Sequence, residues 1–214
     1  MRANTTLPPW ISQRAAGSLL HISSLPGSYG IGNIGRCARD FVDFLESSGI
    51  RFWQTCPVGP TGYGDSPYQV FSSFAGNPYF IDWEPLIEIG LINKEELGAL
   101  RELPVNEVDY GALYENFFSC ARLAHSRFSS LRDKLENLYG SFSTFVARND
   151  SWLRPYCCFQ TLKQIEEGKP WWEWSEASRA ADEKILVELA QTPEFEFHGF
   201  LQYLFWAQWK KLRS

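Results

Sequence analysis

The sequence predicts an α/β fold that opens with one parallel strand–helix–strand unit and continues almost entirely as helix. Three observations predict it. Gly17–Ile22 and Arg51–Val58 are short apolar runs bounded by turn residues, as buried strands are. Between them Cys37, Phe41, Phe44 and Leu45 recur at helical spacing. Beyond the loop 59–82 no third strand is evident, and apolar residues step by three and four.

The first helix covers Arg36–Ser48, with Gly49 standing where a C-terminal cap belongs. Strand, helix and strand in that order make the strands parallel and the crossover right-handed. Asn93-Lys-Glu-Glu96 resembles a capping box that opens a helix near 94–101, and Asp109 can cap another through Phe117, Ala121 and Ala124. Leu131, Leu135, Leu138, Phe142 and Phe145 form an amphipathic stripe that Gly140 can divide in two, too short for a coiled coil. Helical segments are expected near Ser151–Glu167 and Ala177–Gln191. The last helix begins at Thr192-Pro193, a cap followed by proline at the first helical position. Its residues from Phe195 to Leu212 place apolar groups around most of the circumference, which predicts burial on several sides. Lys210, Lys211 and Arg213 favour the negative end of its dipole.

At 214 residues the chain can hold one sizeable core or one domain with an appendage. Its 25 acidic and 20 basic residues, net −5, are spread along the sequence, so no basic face exists for nucleic acid or anionic lipid. The five cysteines, Cys37, Cys56, Cys120, Cys157 and Cys158, are odd in number and lack a CxxC pair. They suggest neither a disulfide framework nor a zinc site, and a reducing cytoplasm fits best. Cys157 and Cys158 read as a redox pair or as small apolar residues on a buried helix face. No metal or other cofactor is implied. Met1–Gln13 has no apolar signal-peptide core, and no apolar run approaches the ~18 residues that span a bilayer, so a soluble protein is expected. Aromatics make up 16% of the chain, with nine tryptophans, more than a core of this size requires. Some are expected to face a ligand or a partner.

The densest chemistry lies in Gly59–Gln69 and Phe74–Tyr79. Glycines and prolines set the turns, while Tyr63, Asp65, Ser66, Tyr68 and Gln69 crowd polar and aromatic groups together. That mixture suits a sugar, whose hydroxyls bond to Asp, Ser and Gln and whose flat C–H face takes a ring. It also suits a tightly wound loop whose tyrosines only pack. A second motif, Gly30-Ile-Gly-Asn-Ile-Gly35, matches the dinucleotide fingerprint GxGxxG between a strand and a helix. Against that reading, the first glycine falls eight residues beyond Ile22, Pro26-Gly27 intervene, and the second strand ends in Thr55-Cys-Pro-Val58 without an acidic ribose ligand. The alternative is that these glycines let a loop pass close over the strand ends.

Leu20–Gly27, Tyr29–Gly32, Phe52–Gln54, Pro57–Gln69 and Phe74–Tyr79 together resemble the opening of the amylomaltases, the bacterial 4-alpha-glucanotransferases or disproportionating enzymes. A looser likeness continues through Val108–Gly111, Trp171–Trp174 and Phe200–Leu212, so it covers the chain from about Arg14. The resemblance implies the first two strands of an elaborated (β/α)8 TIM barrel plus a mainly helical insertion subdomain, the barrel being incomplete in this chain. Residues 1–13 would be an N-terminal tail and 14–82 the first β-α-β part with the substrate loop 59–82. Residues 83–192 would be the helical insertion, and 193–214 a helix leading back to the barrel.

It further implies a retaining double displacement on α-1,4-glucan and maltooligosaccharides, in which an Asp attacks the anomeric carbon, a Glu protonates the leaving oxygen and an acceptor sugar replaces water. Such enzymes hold the two carboxyls about 5–5.5 Å apart. Their positions in the family fall beyond this chain, so no catalytic residue is assigned. By the same matching Ser66 and Tyr68 line donor-side sugar subsites, with Asp65 orienting them or fixing the turn. Tyr63 and Tyr114 match a pair that cradles glucan at a second, non-catalytic site. Gln69 and Asn77 shape the loop. His21, at the end of the first strand, reads as an active-site group or as a hydrogen-bonded core histidine; His125 and His198 look incidental. Trp171, Trp172 and Trp174 stack on sugar or anchor the helical insertion. Two strands cannot close a barrel, so open edges and the apolar last helix favour aggregation or association with a separately encoded C-terminal half. Two other readings compete, a non-catalytic glucan-binding or regulatory module and a dinucleotide-binding domain.

Overall fold

The structure is a computed structural model that describes residues 13–62, 64–180 and 183–214. Strands β1 (Gly17–Leu19) and β2 (Phe52–Gln54) pair in parallel, with Gly17 opposite Phe52 and Leu19 opposite Gln54. Both are shorter than the apolar runs. After β1 the chain winds into a 3-10 turn, Ile22–Ser24, and after β2 Pro57 has no N–H for a ladder. Helix α1 (Arg36–Ser47) makes the crossover, followed by Gly49 at φ +69°. Its Phe41 meets Trp53 edge-on at 5.0 Å, and the Trp53 indole donates to Leu20 O at 2.7 Å, pinning the strand ends together.

The glycines of the GxGxxG motif have a packing explanation. Gly30 sits at φ +77°, and a Cβ on Gly32 would stand 2.1 Å from Ile22 O and 2.6 Å from Leu25 O. A loop pressed onto the turn after β1 requires glycine there whether or not a nucleotide binds.

Helices α2 (Glu84–Glu88) and α3 (Gly98–Arg101) follow the long loop. The helix expected over 94–101 is shorter, because Lys94–Leu97 close as a tight turn with bonds three residues apart. Half of the expected capping box forms: the Glu96 carboxylate accepts Asn93 N–H at 2.9 Å and also pairs with Arg127. Helix α4 (Tyr110–Ser126) is capped by Asp109, which accepts Ala112 N–H at 3.0 Å. Gly140, at φ +87°, separates α5 (Phe128–Tyr139) from α6 (Phe142–Ile165). α6 runs on through Pro155, longer than the segment expected near 151–167. The segment 177–191 resolves into α7 (Glu176–Ala180) and α8 (Glu183–Leu189). Cys157 and Cys158 are buried and free, and burial pushes both thiols up, which supports their reading as small apolar residues.

Helix α9 (Pro193–Leu212) starts as expected, with Thr192 Oγ1 accepting Phe195 N–H. The burial on several sides expected of it is found: Phe197, Phe200, Leu201, Tyr203, Leu204 and Phe205 are at most 1% exposed. α6 lies along it, and α4, α5 and the turn Pro78–Phe80 close other sides. The Tyr203 hydroxyl donates to Gly140 O at 2.6 Å, tying α9 to the α5–α6 junction. Among the described residues no helix is long and apolar enough to cross a membrane.

At the start of α9, Arg122 grips Glu194 with two bonds of 2.7 and 2.8 Å, and His198 Nε2 lies 3.2 Å from the same carboxylate. Burial alone would raise the Glu194 carboxyl, but the neighbouring His198 and the Arg122 donors outweigh it and hold it at about 2. A carboxyl depressed below its unfolded value, about 4.3, stabilises the fold above that value and loses the contribution as pH falls toward the folded one. Acid titration of stability should therefore fall more steeply between about pH 4 and 2 in the unaltered protein than in Glu194→Gln. Parallel slopes would show that Glu194 is not a principal acid-sensitive contact.

Candidate functional site

Because the two strands are parallel, their C-terminal ends open on the same side, and the loop from Thr55 to Asp82 rises from there. Open parallel sheets place ligands at that end. The loop closes on itself through an antiparallel bridge between Thr61 and Val70, with Phe71 N–H donating to Pro60 O at 3.0 Å. Gly59 lies so near Val70 and Ser72 that a Cβ would stand 3.0 Å from each. Asp65 takes the left-handed conformation, φ +51°, and its N–H donates to Gly62 O at 3.1 Å. That backbone geometry fits turn-fixing, the second of its two expected roles.

Tyr68 leaves this hairpin 75% exposed. Its N–H donates to Ser66 Oγ at 3.3 Å, so the two expected donor-side residues are coupled through the backbone. Its hydroxyl donates to Cys56 Sγ at 3.8 Å, and that contact raises the phenol above its ordinary value. Cys56 lies two residues beyond β2, so Tyr68 stands over the strand end. His21 is two residues beyond β1; its ring meets Phe80 edge-on at 5.4 Å, burial lowers its pKa, and its buried Nδ1 has no partner among the described residues. The hydrogen-bonded core histidine is thus not what the structure shows at Nδ1.

A second cluster lies at the loop tip. Burial raises the Asp65 carboxyl and the phenols of Tyr79 and Tyr110, and the nearby Asp65 charge adds to both phenol shifts. Tyr114 is one turn along α4 from Tyr110, 64% exposed, with its ring 5.8 Å from Phe118. Tyr63, its expected companion, lies outside the described residues.

The base of the loop is held by residues that local patterns did not mark. Gln202, on α9 and fully buried, donates to Gly76 O at 2.9 Å and accepts Gly76 N–H at 2.8 Å. Gln208 makes the same two-way bond to Asp82, at 2.9 and 2.8 Å, and also donates to the Tyr139 hydroxyl. Two amide side chains six residues apart thus act as short stretches of ladder partner for a backbone that has none. The sequence signal was two glutamines within the otherwise apolar run Phe200–Trp209. Asn77 has its expected shaping role: Oδ1 accepts Tyr79 N–H and its own N–H donates to Val58 O. The outer loop is seated on α6 by Phe71 against Phe159, at 5.8 Å, and Phe74 stacked near Trp152, at 6.4 Å.

Residues 20–214 match the sequence profile of the 4-alpha-glucanotransferase family. The 4-alpha-glucanotransferase of Thermus thermophilus is 45% identical over 203 residues, 94% of this chain and 39% of that protein. That of Clostridium butyricum is 39% identical over 91% of this chain and 39% of its own length. The amylomaltase from Streptococcus agalactiae in complex with acarbose superimposes with a TM-score of 0.83 at 34% identity, over 94% of this chain and 40% of that one. This chain therefore spans about 40% of the length of the relatives it matches.

Proposed function

Because the chain belongs to the 4-alpha-glucanotransferase family, we infer that its 214 residues form the donor-side portion of an enzyme that transfers α-1,4-glucan segments between maltooligosaccharides. In this reading residues 14–82 are the first strand–helix–strand part of a (β/α)8 barrel, 83–192 its helical insertion and 193–214 the helix that returns to the barrel. The observation that carries it is the exposed Tyr68 ring, standing at the C-terminal end of β2 with Ser66 beside it. Barrel enzymes assemble their sites at that end. Ser66 and Tyr68 would bind the glucose units on the non-reducing side of the broken bond, with Asp65 holding the turn that presents them. Tyr63 and Tyr114 would cradle glucan at a separate, non-catalytic position.

The nucleophile and acid of a retaining mechanism would come from the rest of the family's length, so these residues alone would bind without transferring. A soluble cytoplasmic protein without a metal or cofactor is consistent with that chemistry. Two results test the assignment together. The 214-residue chain should show no transfer of glucose units from maltotriose, and should gain it when mixed with a polypeptide supplying the remaining length of a family member. Tyr68→Ala should lower the reconstituted kcat/KM by roughly tenfold or more, the equivalent of about 1.4 kcal/mol of lost transition-state binding. Failure of a soluble, stoichiometric mixture would instead favour a non-catalytic glucan-binding module, provided the chain alone binds maltooligosaccharides.

A further inference from the structure

We propose that Trp171 and Trp172 form an accessory platform on the helical part of the chain that stacks on an α-glucan, continuous with the loop that carries Tyr68. The proposal rests on the glucan reading above. The two rings belong to a 3-10 turn, Trp171–Glu173, and are 55% and 70% exposed. The third tryptophan of the run has the opposite fate. Trp174 is buried, its indole donates to Lys169 O at 2.8 Å, and its ring packs on Phe159 at 5.3 Å. The anchoring role expected of all three thus falls to Trp174, leaving the other pair without that use.

The turn is also rigidly mounted. Ser175 gives both its N–H and its hydroxyl to Glu166, at 3.2 and 2.7 Å, and Lys163 Nζ donates to Gly168 O at 2.9 Å. Holding large rings in water from a fixed mount loses the apolar burial that otherwise favours them inside. A flat C–H face of a pyranose recovers that contact, while exposed Glu173 and Lys169 offer an acceptor and donors for its hydroxyls. A protein interface of the usual kind would be depleted of charge at its centre, whereas here Glu173 follows the two rings directly.

Continuity with the loop comes from two residues of α6. Phe159 touches Trp174 on one side and Phe71 of the loop on the other, at 5.3 and 5.8 Å. Lys163 bonds to the turn and places Nζ 5.3 Å from the Phe71 ring centre. Loop and platform therefore share one support, and in this proposal a glucan chain longer than the donor subsites meets both.

The test is calorimetric titration of the 214-residue chain with maltoheptaose and with maltotriose. Trp171→Ala/Trp172→Ala should weaken maltoheptaose binding about tenfold while leaving the melting temperature unchanged, since both rings are exposed; the double aromatic swap Trp171→Tyr/Trp172→Tyr should restore most of it. Maltotriose should be affected less. Equal maltoheptaose affinity in the double alanine variant overturns the platform, and if Tyr68→Ala weakens binding in the same series the loop assignment stands without it. Loss of binding in the tryptophan variant with none in Tyr68→Ala supports the platform and removes the loop assignment. No saturable binding by the unaltered chain overturns both. Protection of the two indoles by a polypeptide supplying the remaining family length, with no response to maltoheptaose, assigns the face to protein contact and overturns the platform as well.

Discussion

Gly76→Ala should be strongly disruptive, costing about 3 kcal/mol or more, at the upper end of what overpacking does. The added Cβ would stand 1.9 Å from Phe205 Cδ1 and 2.1 Å from Cε1. Neither side can yield. Phe205 is fully buried and in ring contact with Trp206 and Trp209, at 5.6 and 6.0 Å. Gly76 is held from both of its backbone polar groups by Gln202. In a domain of this size the change corresponds to a drop of roughly 10 °C in melting temperature, measurable by circular dichroism. A drop of less than about 2 °C would mean that loop and helix separate more easily than their packing indicates. Because Gly76 joins the loop to α9, the proposed maltooligosaccharide binding should weaken along with stability.

Gln202→Leu is expected to have a comparable cost for a different reason. Leucine fills most of the volume but supplies neither donor nor acceptor, and the Gly76 N–H and C=O are then both buried without partners. Each orphaned group costs about 1–3 kcal/mol, so the pair amounts to roughly 4 kcal/mol. Chemical denaturation would read the loss as a lower midpoint with an unchanged slope. Hydrogen exchange adds a local signature, since the Gly76 amide should lose protection well beyond the global change. A loss under about 1 kcal/mol would show that water or a loop shift replaces the glutamine.

Both effects concern the same joint, the one that ties the Tyr68 loop to the helical part. The loop is long and mostly irregular, so its shape depends on where its base is fixed. Phe71 and Phe74 seat it on α6, Gln202 and Gln208 seat it on α9, and Tyr68 stays 75% exposed over the end of β2.

What could be read directly from the chain is whatever is decided within a few residues. The caps at Asp109 and Thr192, the break at Gly140, the crossover between two parallel strands and the turn chemistry of Asn77 all follow from local backbone needs, and each is found. The loop with Ser66 and Tyr68 stood out because it crowds polar and aromatic groups together between its turn residues. Tertiary structure decided the rest. Gly76 and Gln202 are 126 residues apart, and no local pattern pairs a loop glycine with a helix glutamine at that separation. The length of α6 through Pro155, the exposure of Phe44 on a helix face that looked apolar, and the divergent fates of Trp171, Trp172 and Trp174 depended on which surfaces meet. The composition of α9 required cover on several sides; that α6 supplies most of it is a result of packing, since hydrophobic attraction is strong but carries no direction of its own.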